Sequence, residues 1–333
     1  MTISPSSIPR RIPRRAVLSG LSAASALAFA PLPTALAQDG LLNVVATTGM
    51  IADTARRVGG DLVAVRSLMG PGIDPHGYRQ TRSDVALMLR ADLVLWNGLY
   101  LEAQMEEFLE GLARRTPVVA VAESLDPDRL LASDEYSERF DPHVWMAPPL
   151  WSAVVDAVAD AIIEARPGSE EAIRRNAGTY KSELAALDGY ASEAIASVPE
   201  PSRVLLTAHD AFGYLGREYG LEVLGIQGIS TESETGLARI GELVDLLVER
   251  NIGAVFVESS VSDRNVRALI EGARARGHEV VIGGELFSDA MGPEGTYEGT
   301  YLGMIDHNVT TIARALGGTA PERGLLGRLG EGS

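Results

Sequence analysis

The 333-residue chain contains no cysteine, only five histidines, and aromatic residues at just 5%. Without Cys there is no disulfide framework, thiolate metal site, iron–sulfur cluster or cysteine nucleophile. There is also no lipid anchor on an N-terminal Cys. Basic residues are short as well: 29 Lys and Arg face 45 Asp and Glu, a formal charge of −16. That balance speaks against phosphate backbones, so no nucleic-acid partner is expected. It suits a soluble protein that meets cations. So few aromatics argue against a broad haem or siderophore cleft. There is no Gly-rich phosphate loop, nucleophile elbow or dinucleotide fingerprint. Hydrophobic residues at 46% and charged residues at 22% are globular values. A transition-metal site in this chain would have to draw on the few imidazoles.

The first 37 residues read as an export signal and stand outside the fold. Arg10, Arg11, Arg14 and Arg15 form a basic start with no acidic residue, and an Ala-rich apolar run from Ala16 to Leu32 follows. Pro31 and Pro33 interrupt it, so it is too short and weak to span a bilayer. Ala35-Leu36-Ala37 is a small-x-small cleavage site. Arg14-Arg15 followed by Leu18 resembles a twin-arginine signal, with Val17 where Phe is usual and Pro13 before the pair. Removing four Arg and no acid moves the formal charge from −16 to −20. No other stretch reaches the ~18 apolar residues of a membrane span. A soluble, exported protein is expected.

Past the signal, short β-branched runs alternate with amphipathic helical patterns, which reads as α/β with mainly parallel sheets. An N-terminal α/β lobe is expected over 38–167. Its strands are predicted at Leu42–Thr47, Leu62–Leu68, Leu93–Trp96 and Val118–Val121, and its helices at Ile51–Val58, Ser83–Arg90, Glu102–Ala113 and Pro148–Ala165. Residues 168–199 carry no strand signal. Ile173, Ala177, Tyr180, Leu184, Leu187 and Ala191 recur there at helical spacing, predicting one long helix of roughly 45 Å over Ser169–Val198. It serves either as a bundle helix or as a rigid spine between lobes. A C-terminal α/β lobe is expected over 200–333. Its strands are predicted at Arg203–Thr207, Leu221–Ile226, Ala254–Val257 and Glu279–Ile282, and its helices at Leu237–Arg250, Arg264–Arg276 and Thr300–Leu316. The Gly-rich tail, Gly317–Ser333, is expected to be loose.

The tripeptide Asp-Pro-His occurs twice, ending in His76 and His143. Proline fixes φ and holds the preceding Asp extended, which presents an imidazole rigidly from a loop. A lone loop His can equally satisfy its own turn. His209 follows a predicted strand in Thr207-Ala208-His209-Asp210 and opens an apparent helix, where α/β sheets collect ligands. Asp289 follows the last predicted strand by several residues. His278, in a turn, and His307, within a helix, read as surface residues. Asp74, Asp141 and Asp210 adjoin these His and either orient imidazoles or cap turns. Glu258 ends a strand and is either a supporting partner or a general base.

Seven ordered segments carry a resemblance: Val44–Ile51, Met69–Gln80, Asn97-Gly98-Leu99, Asp141–Trp145, Thr207–Gly213, Gly228–Glu234 and Val257–Ser262. Together they resemble the zinc/manganese solute-binding proteins of ABC importers, the TroA-like or cluster A-I group. The resemblance covers nearly the whole exported chain. It implies two Rossmann-like α/β lobes joined by one long rigid helix, with a metal site between the lobes. It further implies His76 and His143 from the first lobe and His209 and Asp289 from the second as ligands.

Three imidazoles and a carboxylate at roughly 2.0–2.2 Å suit Zn²⁺. A bidentate Asp289 would accommodate Mn²⁺ or Fe²⁺, although the Irving–Williams order favours Zn²⁺ for this donor set. The His-rich loop of many zinc-dedicated family members is replaced here by Glu123–Phe140, which is acidic and contains no His. One Zn²⁺ or Mn²⁺ per chain is therefore expected as transported cargo. The partner implied is a membrane permease of an ABC transporter, with the protein a periplasmic monomer lacking a stable membrane anchor. A metal-dependent hydrolase with a three-histidine site, using Asp289 or Glu258 as base, is the alternative.

Overall fold

The computed structural model describes residues 40–133, 139–233 and 235–331. The expected export signal at 1–37 lies outside the described residues, as do Asp134, Glu135 and Glu138 of the acidic stretch and Glu234. Among the described residues, no helix is long and apolar enough to cross a membrane.

The first lobe is built from β1 (Leu42–Ala46), α1 (Gly49–Gly59), β2 (Val63–Ser67), α2 (Arg82–Met88), β3 (Leu93–Trp96), α3 (Glu106–Leu112), β4 (Val118–Ala120) and α4 (Pro148–Ala165). Its four strands form a parallel sheet in the order β2-β1-β3-β4. Parallel strands are covered on both faces, which explains the unbroken apolar run of β3, buried at every residue. Local chemistry sets the helix ends. Thr81 and Asp84 form a reciprocal capping box on α2, and Pro148 stands in the first turn of α4.

α5 (Glu170–Ala196) is the predicted long helix, 27 residues and so about 40 Å. The six residues expected on one face are all buried. Gly178 and Gly189 border open space, where a missing side chain forfeits no packing.

The second lobe contains β5 (Val204–Thr207), α6 (Gly213–Tyr219), β6 (Glu222–Gly225), α7 (Leu237–Glu249), β7 (Ala254–Glu258), α8 (Arg264–Ala275), β8 (Val281–Leu286) and α9 (Tyr301–Ala315). β5 pairs with β6 and β7 with β8, both in parallel. α9 runs back against α5 and α1, and Asp53 of α1 accepts the Tyr301 backbone N–H at its start, 3.0 Å. One apolar core thus runs from Val44 through Trp151 and Leu184 to Phe256 and Tyr301.

Four expectations are revised. β8 spans Val281–Leu286 rather than Glu279–Ile282. Gly283 and Gly284, beyond the predicted end, lie inside the strand, at positions where side chains would collide with neighbours. A Cβ on Gly284 would lie 2.4 Å from Thr311 of α9. α6 begins at Gly213, so His209 sits in a bend before the helix rather than opening it. α3 begins at Glu106 rather than Glu102, whose buried carboxylate is used as an acceptor. The tail is docked through residue 331. Leu325 N–H donates to Asp306 at 2.9 Å, Gly330 N–H donates to Glu298 at 2.7 Å, and the Arg328 guanidinium lies over the Tyr297 ring.

Candidate metal centre

His76 lies on the loop after β2 and His209 just past β5, both beyond the carboxyl ends of strands. Asp289 is three residues beyond β8. His143 enters from the Asp141–Trp145 segment that leads into α4. The structure brings these four side chains together, with relative exposures of 4%, 0%, 0% and 2% for His76, His143, His209 and Asp289. Each offers one donor atom, all within 4.8 Å of one another.

The spacing has chemical content. His76 Nε2 lies 3.2 Å from His143 Nε2, His209 Nε2 lies 3.2 Å from Asp289 Oδ2, and His143 Nε2 lies 3.4 Å from Asp289 Oδ1. His76 Nε2 to Asp289 Oδ2 is wider, at 4.0 Å. Donors on a tetrahedron with bonds of about 2.0–2.1 Å stand about 3.3–3.4 Å apart, so three of these separations match a small divalent ion. His209 Nε2 and both Asp289 oxygens are buried, and among the described residues they meet no hydrogen-bond partner outside the cluster. Buried polar atoms ordinarily find partners, and these converge on one point instead. The donor set therefore fits a divalent metal.

The far side of two rings is fixed by carboxylates. Asp141 Oδ1 accepts from His143 Nδ1 at 2.7 Å and from the His143 backbone N–H at 2.9 Å. Glu258 Oε2 stands 2.5 Å from His209 Nδ1, and Oε1 accepts the His209 backbone N–H at 2.9 Å. Both rings therefore turn Nε2 inward, toward the other donor atoms. Asp74 accepts the His76 backbone N–H at 2.8 Å and the Thr231 hydroxyl at 2.5 Å, so it holds the loop rather than the ring.

Burial acts on every ring, and the carboxylates decide the outcome. Desolvation pushes His76 down to about 3, against which Asp289 is too weak. For His143 the desolvation is overcome by Asp141 and then Asp289, which raise it to about 9. For His209 it is overcome by Glu258 and Asp289, which hold it well above 6.5. Desolvation would raise Asp289, but His209, His143 and His76 keep it well below the usual carboxylate range.

His278 and His307 lie outside this cluster. Their Nε2 atoms bond to the carbonyls of Ile252 and Glu285. Three supporting side chains were missed. The Tyr214 hydroxyl donates to the Asp141 carbonyl at 2.7 Å, the Tyr301 hydroxyl donates to the Trp145 carbonyl at 2.8 Å, and the Trp145 indole N–H reaches the Ser288 carbonyl at 2.8 Å. Only Trp145 gave a sequence signal, through its place in the Asp-Pro-His-Val-Trp segment.

Residues 44–315 match the family model described as zinc-uptake complex component A, periplasmic. The chain is 50% identical over 278 residues to the manganese-binding lipoprotein MntA of Bacillus subtilis (strain 168), covering 84% of this chain and 90% of that one. It is 46% identical over 280 residues to the zinc-binding protein TroA of Treponema pallidum (strain Nichols), covering 84% and 90%. The solved structure of periplasmic zinc-binding TroA from Treponema pallidum superposes with a TM-score of 0.81, at 46% identity, covering 83% of this chain and 99% of that one. With its two α/β lobes, long helix and four converging donors, the chain belongs to the zinc-uptake component A family of periplasmic metal-binding proteins.

Proposed function

We propose that this protein captures one divalent transition-metal ion outside the cytoplasm and delivers it to the membrane permease of an ABC importer, with His76, His143, His209 and Asp289 as the ligands. The observation that carries this reading is the Asp289 carboxylate: fully buried, with no donor outside the cluster among the described residues, and within 3.2–4.0 Å of three imidazole nitrogens. Family membership supports the transport role. The names of MntA and TroA offer manganese and zinc as cargo. Three nitrogens and one or two oxygens hold Zn²⁺ more tightly than Mn²⁺, whereas a bidentate Asp289 accommodates either ion.

Carriage is favoured over hydrolysis by a specific contact. Glu258, the candidate base, has both oxygens engaged by His209 and so is not directed at a metal-bound water. Asp289 is itself among the donors. We further read residues 1–37 as an export signal cleaved near Ala37, with a twin-arginine route and a monomeric, freely diffusing periplasmic product. A cysteine-free chain has no thiol for a lipid anchor.

The test is metal content of protein purified from its native compartment, with competition titrations of Zn²⁺ and Mn²⁺. One equivalent of metal is expected, and His143→Ala is expected to lose it together with the metal-induced rise in Tm. Undiminished binding in that variant would overturn the ligand assignment.

A further inference from the structure

The segment Asn97-Gly98-Leu99 supplies no metal ligand, yet its backbone is unusual. Gly98, Leu99 and Tyr100 all have left-handed φ, at +78°, +53° and +70°. Glycine adopts this region freely, whereas Leu and Tyr do so at a cost that must be met by surrounding contacts. A fully buried carboxylate supplies them. Glu102 Oε1 accepts the Asn97 backbone N–H at 2.8 Å and the Thr47 hydroxyl at 2.6 Å, and Oε2 accepts the Gly98 N–H at 3.2 Å. Glu123 Oε1 accepts the Leu99 N–H at 3.4 Å.

The strained turn aims one side chain. Asn97 is 1% exposed, and its Nδ2 donates to the carbonyls of Gly98 and Pro142, each at 3.1 Å. The reverse amide orientation would set its oxygen against two carbonyl oxygens, so the donor orientation is fixed. Pro142 immediately precedes His143. The flanking carbonyls of Asp141 and Trp145 are taken by the hydroxyls of Tyr214 and Tyr301. Three donors from three elements thus hold the short segment that carries His143.

We propose that Asn97 is a positioning residue for the metal centre: held by the left-handed turn and Glu102, it fixes the Pro142 carbonyl and through it the direction of His143 Nε2. The proposal rests on His143 being a ligand. Preorganisation of this kind slows cargo loss, because a ring already in place pays no ordering cost when it binds.

The test uses the full exported chain with Zn²⁺ and Co²⁺ as probes. Asn97→Ala is expected to weaken Zn²⁺ binding about tenfold, the scale of one hydrogen bond, mainly through faster dissociation. It is also expected to shift the visible ligand-field bands of the Co²⁺ form. Gly178→Ala separates stability from positioning: it lies on a face of α5 that borders open space, far in sequence from the turn, and Ala favours the helix over Gly, so Tm rises while Zn²⁺ affinity stays unchanged. In the double variant, which also guards against a poorly folding single variant, Tm is restored and the affinity loss and band shift persist. A wild-type affinity and Co²⁺ spectrum in Asn97→Ala, or recovery of affinity with Tm in the double variant, would overturn the proposal. Failure of the unsubstituted protein to bind Zn²⁺ or Co²⁺ would instead remove the metal-capture reading.

Discussion

The indole N–H of Trp145 donates to the Ser288 carbonyl at 2.8 Å, in a fully buried setting. Trp145 stands two residues after His143, and Ser288 immediately precedes Asp289. The two segments that present these donors are therefore fastened directly to each other across 143 residues of sequence. In this arrangement His143 Nε2 and Asp289 Oδ1 lie 3.4 Å apart.

Trp145→Phe tests that fastening. It keeps an aromatic ring in the core but leaves the Ser288 carbonyl unpaired, which costs about 1–3 kcal/mol for a buried group. A lower Tm and a shorter metal residence time are expected together, measured by thermal melts and by chelator-driven metal release. An unchanged release rate alongside a lowered Tm would mean that the contact stabilises the fold without organising the site.

Glu258→Gln probes the support of His209. The amide can satisfy one of the two donors that Glu258 now accepts, the ring Nδ1–H or the backbone N–H, but its NH₂ opposes the other. It also removes a charge that makes the imidazole a better ligand. Losing such a partner costs about 10- to 100-fold in metal affinity. Competition titration checks this, and a variant with wild-type affinity would show that the carboxylate merely caps the loop.

Proton competition sets the pH dependence. Burial lowers His143, but Asp141 and Asp289 overcome it and raise the ring to about 9, while His209 is also raised. The metal-free site therefore carries protons at neutral pH that an incoming cation must displace. Affinity is expected to climb about tenfold per pH unit for each proton released, the His143 contribution levelling off above about pH 9. His76, lowered to about 3, adds nothing to that slope. Stability of the metal-free protein runs the other way. The part due to protonated His143 is fully present below 6.5 and is lost as pH rises through about 9. The metal-induced gain in Tm should thus widen from pH 6 to 9. Calorimetry in buffers of different ionisation heat would count the protons, and zero release at pH 7 would contradict the scheme.

How far the sequence reached depended on the range of the interactions. The α5 face, the sheet of the first lobe and the two Asp-Pro-His loops were legible because periodicity and proline geometry are local. The four donors were legible by resemblance, as ordered motifs rather than by spacing, since 76, 143, 209 and 289 meet only in the fold. What could not be read was set by distant neighbours. Tyr214 and Tyr301 look like ordinary core aromatics until their hydroxyls are seen on the carbonyls of Asp141 and Trp145. The tail looked loose from its glycines. Gly324, at φ +72°, instead lets the chain press against the Asp306 carboxylate, from which a Cβ would be 2.3 Å.

Gly284 gives the same lesson in testable form. Its lack of a side chain lets α9 lie against β8, and a Cβ would lie 2.4 Å from Thr311 Cγ2. Thr is β-branched and stiff about χ1, so the contact is not relieved by a simple rotamer change. Gly284→Ala is therefore expected to be destabilising by about 1–3 kcal/mol, the usual cost of overpacking, although Ala ordinarily favours regular structure over Gly. The strain should reach the metal centre, because Asp289 lies three residues past the end of β8 and α9 holds Phe287 of that loop through both amide atoms of Asn308. A Thr311→Ser partner removes the clashing methyl and is expected to restore both Tm and Zn²⁺ affinity. If Gly284→Ala instead raises Tm, the packing of α9 on β8 does not depend on the missing side chain.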